Sequence, residues 1–444
     1  VAVTPYFADV DGDGTLDLIF NNGLEQLLCL SGKNGLVLGR MTLEAGVGRG
    51  YALDDVDRDG VPDVVVGAGR KLFCLAWNGG RKEWFRRAAT YFDAAFAVAG
   101  GKLVAKTSGG QIACYMPDQH VPLWEVETSP QPSPYVGLAA TETLVADTDA
   151  QTRRLAVRRM ATGEVVWSAR LPGEPGAPIG WPVIAGGNLF VGDGDTGFHC
   201  FDVATGELRW QQSLARVTAR AAADDRSVFI SDGVNAMHCL ALADGRPRWH
   251  YEVSDPFPAA PWLLDVTADG VADAIAVADN GTVYALDGKE GTRLWELRIG
   301  EVRTRTRHRV VGAGKGRDGF VVNLAGEIYR LDLKTGKPRW KFPLGSMVMS
   351  EPVVDDVDGD GEADVLVGTM SRRVHCVSGK GDRELWSYEV GAPIRYSAPA
   401  VLDGRVFIGT GPPENGLYCV SASAPQAGGA FWTGPWKAVM QLRR

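Results

Sequence analysis

The stretch "SEPVVDDVDGDGEADVLVGTMSRRVHCVSGKGDRELWSYEV", Ser350 to Val390, holds four short apolar runs separated by Asp- and Gly-rich turns. The runs are Pro352 to Asp355, Asp364 to Gly368, Val374 to Val377 and Leu385 to Val390. Val, Tyr and Trp dominate them, and such residues pack well on a pleated surface. No segment has the length or period of a helix. Four strands in about 43 residues is the size of one propeller blade.

The same unit recurs along the chain. Tryptophans fall at Trp84, Trp124, Trp167, Trp210, Trp249, Trp295, Trp340 and Trp386. Ten residues before them stand Cys74, Cys114, Val157, Cys200, Cys239, Ala285, Arg330 and Cys376. Weaker copies flank these: Cys29 precedes Gly39, and Cys419 precedes Trp432 at a longer spacing. The expected fold is all-β, one β-propeller over residues 1–444 with ten sequence repeats. Their approximate bounds are 1–43, 44–87, 88–127, 128–171, 172–214, 215–253, 254–299, 300–344, 345–390 and 391–444. Ten blades follow if every repeat forms one; eight blades with two flanking units is the alternative.

Bulk composition fits this reading. The 444 residues are 45% apolar, with 56 Gly and 13 Trp, enough for a large core with many tight turns. No run approaches the roughly 18–20 apolar residues of a membrane-spanning helix. The net charge of −8 argues against a general nucleic-acid binder, which needs basic surface for phosphates. The chain opens at Val1 without a charged-then-apolar leader; a removed signal peptide and a boundary of other origin both account for that.

The cysteine column invites a chemical reading, and spacing argues for packing. In "FHCFDVATGELRW", Phe198 to Trp210, a hairpin folding near Thr205 sets Cys200 opposite Trp210 on one face. Buried free cysteine behaves as a small apolar residue beside the large indole. Seven cysteines cannot all pair within the chain. The adjacent His199, His238 and His375 suggest a metal, yet neighbours along a strand face opposite sides.

Acidic loops recur too. Asp9, Asp11, Asp13 and Asp17 form D-x-D-G-D-G-x-x-D; Asp356, Asp358, Asp360 and Asp364 repeat it. Asp55, Asp57, Asp59 and Asp63 give a third copy, and Asp265, Asp269 and Asp273 a weaker one with Thr267 in place of an acid. Alternate acids in a tight loop direct hard oxygen ligands at one point, which suits Ca²⁺. An EF-hand would need Glu at position twelve, where Phe20, Val66 and Val367 stand instead. The expectation is three to four structural calcium sites. Asp/Gly-rich turns without an ion are the alternative.

Two resemblances follow from these residues. "VYALDGKEGTRLWEL" (Val283 to Leu297) and "IYRLDLKTGKPRWKF" (Ile328 to Phe342) resemble pyrroloquinoline-quinone-type propeller repeats. "ADVDGDGTLDLIF" (Ala8 to Phe20) and "DDVDGDGEADVLVG" (Asp355 to Gly368) resemble the FG-GAP or VCBS repeats of integrin-type propellers. The resemblance runs end to end and implies fold far more than activity. Calcium loops imply a secreted protein, periplasmic or extracellular.

A ligand face is the remaining expectation. Arg49, Arg220 and Arg305 fall in one early column of their repeats, with Arg303 and Arg395 two residues earlier. Gathered at a channel mouth they would hold an anion; pairing with acids or facing solvent is the plainer alternative. Trp181, Trp262 and Tyr396 offer a sugar platform or, more simply, core.

The leading functional expectation is a non-catalytic, calcium-stabilised scaffold for a protein or glycan partner. It resembles the propeller lipoprotein of the outer-membrane β-barrel assembly machinery. A polysaccharide lyase of the kind resembling rhamnogalacturonan lyases is the alternative. It would draw on His120, His250 or His308, none of which sits in a recognisable motif. A quinone-dependent dehydrogenase fits less well, because that family stacks a disulfide of adjacent cysteines on its cofactor and no two cysteines here are adjacent. No phosphate loop, G-x-S-x-G, H-E-x-x-H or C-x-x-C occurs, and no catalytic residue is assigned.

Overall fold

The structure is a computed structural model. It describes residues 6–21, 26–33, 36–42, 47–54, 63–68, 71–76, 82–87, 96–107, 109–116, 122–130, 137–195, 197–218, 221–257, 260–300, 311–312, 318–350, 352–381, 383–395, 398–402, 405–410, 417–421 and 430–432. The second sheet is described in its backbone only.

Among the described residues there is no helix, and the strands form ten four-stranded antiparallel sheets, one in each repeat. The first sheet runs β1 (Tyr6–Ala8), β2 (Asp17–Asn21), β3 (Gln26–Leu30) and β4 (Val37–Thr42), each strand paired with the next. The ninth sheet runs Val353–Asp355, Asp364–Gly368, Arg373–Val377 and Glu384–Glu389, each bound within one residue of the four apolar runs between Ser350 and Val390. Second and third strands are buried on both faces, whereas fourth strands alternate, as Leu208–Ser213 does around buried Trp210. That gradient follows the sequence, where middle strands read as apolar runs and outer strands mix charge with Trp.

The expected cysteine register is present. Cys114, Val157, Cys200, Cys239, Ala285, Arg330 and Cys376 lie directly opposite Trp124, Trp167, Trp210, Trp249, Trp295, Trp340 and Trp386. Right after this pair the ladder slips by one residue, at Cys200/Phe201, Cys239/Leu240 and Cys376/Val377 for example. Such a bulge bends the outer strand and raises its twist. In the fifth sheet the following turn is set by Asp202, whose Oδ1 accepts the N–H groups of Ala204 and Thr205 at 2.9 and 2.8 Å. These bonds and Arg209, 2.5 Å from Oδ2, hold the Asp202 carboxyl down at about 2.

The chain divides into two compact units. One comprises Val1–Gly46, Leu264–Leu286 and Arg293–Arg444; the other comprises Val47–Leu263 and Asp287–Thr292. Within each, apolar faces of successive sheets pack on one another. Phe190, Phe198, Cys200 and Trp210 of the fifth sheet meet Val228, Ile230 and Leu240 of the sixth. Leu366, Val374 and Trp386 of the ninth meet Val406, Ile408 and Val420 of the tenth. Each such buried side chain contributes about 1.5–3 kcal/mol. The first sheet packs on the tenth, where Phe407 joins Leu18, Phe20 and Leu28 and its ring lies 5.5 Å from that of Phe7.

Candidate functional site

The first acidic loop joins β1 to β2. Asp17 is fully buried at the start of β2. Its Oδ2 accepts from Val10 and Asp11 N–H at 2.8 and 3.3 Å, and its Oδ1 from Gly32 N–H at 3.0 Å. Asp9 Oδ1 and Oδ2 accept from Asp13 and Gly14 N–H at 3.1 and 2.9 Å. The ninth-sheet loop repeats the pattern. Asp364 accepts from Val357 and Gly379 N–H at 2.9 and 2.8 Å, and Asp356 from Asp360 and Gly361 N–H at 3.0 Å each. Gly32 and Gly379 have a steric reason: a Cβ there would collide with the carbonyl of Leu16 or Ala363.

Not all four acids of each loop converge. One carboxylate oxygen from each of Asp9, Asp11 and Asp17 lies within 4.8 Å of the others, and Asp356, Asp358 and Asp364 do likewise. The third acid of each loop turns to a lysine: Asp13 Oδ2 is 3.2 Å from Lys33 Nζ, and Asp360 Oδ2 is 2.9 Å from Lys380 Nζ. Burial, aided by the nearby Asp11 and Asp358, raises the Asp17 and Asp364 carboxyls above the usual range. Lys380 lowers Asp360; the Thr15 N–H, then Lys33, lowers Asp13. The three-oxygen groups are of the hard-donor kind that a calcium ion takes.

The weaker loop keeps the turn without the cluster. Asp265 accepts from Asp269 and Gly270 N–H, and Asp273 from Val266 and Thr267 N–H. Among the described residues it does not gather three carboxylate oxygens as the other two loops do. Asp55, Asp57 and Asp59 lie outside the described residues, and Asp63 is placed by its backbone alone.

The arginine column is not assembled by what is described. Arg220, Arg303 and Arg305 lie outside the described residues, and Arg49 is known by its backbone only. Arg395 is exposed ahead of the tenth sheet. Trp181 packs against the cluster of Val104, Cys114 and Met160, and Trp262 is half-buried; Tyr396 lies outside the described residues. His250 is exposed, 4.0 Å from Glu252, and His120 and His308 lie outside the described residues.

The histidines of the His-Cys pairs turn away from the cysteines. His199 and His238 place Nε2 3.1 Å from Asp193 and Asp232, and His375 Nδ1 is 2.6 Å from Glu384. Cys29, Cys114, Cys200, Cys239 and Cys376 are free and buried. Burial pushes the Cys114 and Cys200 thiols up to about 12 and Cys239 to about 11, so they are poor nucleophiles and poor metal ligands.

Spacing alone did not give the reach of the indoles. Trp124, Trp167, Trp210, Trp249, Trp295 and Trp340 donate Nε1–H to carbonyls of the next repeat, at Met160, Val203, Leu242, Gly288, Leu333 and Gly379, over 2.7–3.1 Å. Each ring covers a positive-φ glycine of that repeat's turn, as Trp167 covers Gly206 and Trp210 covers Gly245. The sequence carries the signal, a glycine four residues before Trp167, Trp210, Trp249, Trp295 and Trp340. Arg330, the exception in the cysteine column, also crosses between sheets, bonding Asp318, Glu362 and the Gly379 carbonyl.

Four-stranded repeats clasped by a tryptophan from the repeat before define a β-propeller of the pyrroloquinoline-quinone-like type. The chain matches the family model described as outer membrane protein assembly factor BamB over residues 25–251 and 199–347, and it belongs to that family. BamB of Burkholderia pseudomallei (strain K96243) is 30% identical over 172 residues, 37% of this chain and 40% of that protein. BamB of Pseudomonas aeruginosa is 28% identical over 142 residues, 31% and 35% of the two chains. The matches thus span less than half the length of these curated relatives. Among solved structures, BamB from Moraxella catarrhalis aligns with a TM-score of 0.48 at 17% identity, covering 72% of this chain and 94% of that one. A europium-containing methanol dehydrogenase aligns with a TM-score of 0.45 at 12% identity, covering 74% and 83%.

Proposed function

We propose that this propeller is a non-catalytic scaffold that binds a protein partner in outer-membrane protein assembly, in the periplasm, with calcium stiffening its acidic loops. Family membership across residues 25–347 carries the reading, together with relatives named as outer membrane protein assembly factors. A blade count of ten belongs to the same proposal, supported by one strand order in all ten repeats. Calcium is supported by the two three-carboxylate groups at Asp9, Asp11, Asp17 and at Asp356, Asp358, Asp364. An ion there would neutralise acids that otherwise repel and would tie the first two strands of a sheet together.

One preparation tests both parts. Cross-linking of the tagged chain in cell envelopes, read by mass spectrometry, should recover an outer-membrane assembly component in reciprocal capture. Recovery of none removes the scaffold reading. Calorimetric titration should show calcium uptake, with one equivalent lost in each of Asp9→Asn and Asp356→Asn. Saturation at a hundred times Kd should add about 2.7 kcal/mol of stability per site, reversed by a chelator. A flat titration with unchanged melting ends the calcium reading and leaves the scaffold reading intact.

A further inference from the structure

Two of the six histidines meet across one hairpin of the sixth sheet. His238, on the third strand (Ala236–Ala241), lies directly opposite His250 on the fourth (Pro247–Glu252). Their rings stack at 24° with centroids 6.1 Å apart. The fifth and ninth sheets carry the same inner histidine, at His199 and His375, and face it with Gln211 and Ser387. The second histidine therefore sets the sixth sheet apart.

One side of this hairpin gathers further donors. Side chains alternate along a strand, so Glu252, two residues beyond His250, shares its face. Its Oε1 lies 4.0 Å from His250 Nε2. His238 is held from behind by Asp232, whose Oδ2 lies 3.1 Å from Nε2. The other oxygen of Asp232 accepts the N–H groups of Val234, Asn235 and Ala236 at 3.1, 2.9 and 2.8 Å. The turn thus fixes the carboxylate, and the carboxylate fixes the ring. An ionised carboxylate only accepts, so Nε2 carries the proton and Nδ1 keeps its lone pair. A carboxylate behind an imidazole in this way orients metal-binding histidines and raises their basicity. Asp193 does the same for His199, so the aspartate by itself belongs to the fold. The sixth sheet adds His250 and Glu252, which are 62% and 71% exposed and open to an arriving ion.

Donor chemistry selects the ion. Imidazole with a carboxylate suits zinc and its neighbours, whereas the all-oxygen aspartate loops suit calcium. Zinc–nitrogen bonds of about 2.0–2.1 Å place two ring centroids on one tetrahedral ion about 5 Å apart. The rings stand 6.1 Å apart, and the exposed His250 has room to close that difference. We propose that His238, His250 and Glu252 form a site for a divalent transition ion of the zinc class, with Asp232 orienting His238 and water as the fourth ligand. The ion would tie the outer strand of the sixth sheet to its neighbour. This site depends on neither the calcium loops nor the scaffold reading.

The test uses the full chain in saturating calcium, so that sites of hard oxygen donors are filled. Competition with a chromophoric zinc chelator should show one zinc bound per chain. His250→Ala and Glu252→Gln, both exposed changes, should weaken uptake at least about tenfold with unaltered melting of the zinc-free chain. Asp232→Asn keeps the Oδ1 cap of the turn and should weaken uptake about 10–100-fold. Copper(II) in place of zinc should give an electron paramagnetic resonance spectrum split by two nitrogens, reduced to one in His250→Ala. No uptake, or uptake unchanged in His250→Ala, overturns the site. Loss of zinc in Asp9→Asn or Asp356→Asn, with His250→Ala binding normally, would assign the ion to an acidic loop and also overturn it. Half an equivalent with a zinc-dependent dimer would place His250 between two copies of the chain, against the proposal.

Discussion

At the scale of single residues, the most consequential group is Lys106. Its side chain is fully buried between the third and fourth sheets. Nζ donates to Thr148 O at 2.5 Å and lies 3.8 Å from Asp147, whose other oxygen takes Arg158 Nε at 3.0 Å. Burial pulls the Lys106 amine below its ordinary value, against the pull of Asp147. The unfolded chain therefore holds more protons between the lowered folded pKa and about 10.4, so this residue's contribution to stability rises with pH across that window. Urea unfolding at pH 7 and pH 9.5 should show wild type gaining on Lys106→Met as pH rises; parallel profiles would refute the assignment. Lys106→Ala, which leaves Asp147 to Arg158 alone and opens a cavity, should cost about 2–5 kcal/mol at pH 7. Nothing in "KLVAKTSGG" marks this lysine, because its partners stand about forty residues on. The cysteines were legible for the opposite reason: their partner lies ten residues away on the same hairpin, at a spacing repeated along the chain.

At the scale of the element, the outer strand of each of the fourth to seventh sheets does two jobs. Its Trp closes one hairpin over a small residue and, after the bulge, reaches the turn of the next repeat. Gly206 shows what this demands. Its φ is +77°, and a Cβ would collide with the Trp167 ring. Gly206→Ala should therefore cost about 2–4 kcal/mol, the left-handed backbone and the overpacking together. Gly187, at φ +75° with nothing near its Cβ position, is the control, and Gly187→Ala should cost about 1 kcal/mol. Equal denaturation midpoints for the two variants would mean that the indole carries no inter-repeat packing. The acidic loops were legible in outline only. Their D-x-D-G-D-G spacing announced converging carboxylates, while the turn of Asp13 and Asp360 to lysines needed the following hairpin folded beside the loop.

At the scale of the molecule, the unit formed by the first and the seventh to tenth sheets joins the start of the chain to its end. Phe407 sits in the same cluster as Leu18, Phe20, Leu28 and Leu30. Phe407→Ala should cost about 3–5 kcal/mol. Hydrogen exchange should speed up in Asp17–Asn21, Gln26–Leu30 and Arg405–Gly409 while Asn188–Gly192 of the other unit keeps its protection. Equal acceleration in Asn188–Gly192 would show that the two units open together. The sequence by itself determined the repeat, its four strands, the register of small residue against tryptophan and the place of each acidic loop. Those are short-range matters, set by strand period, turn chemistry and ten-residue spacing. Tertiary structure alone decided which buried charges pair, which aspartates meet and where each indole lands. Those contacts join residues far apart in the chain, and a residue's environment there depends on the neighbouring sheet rather than on its own repeat.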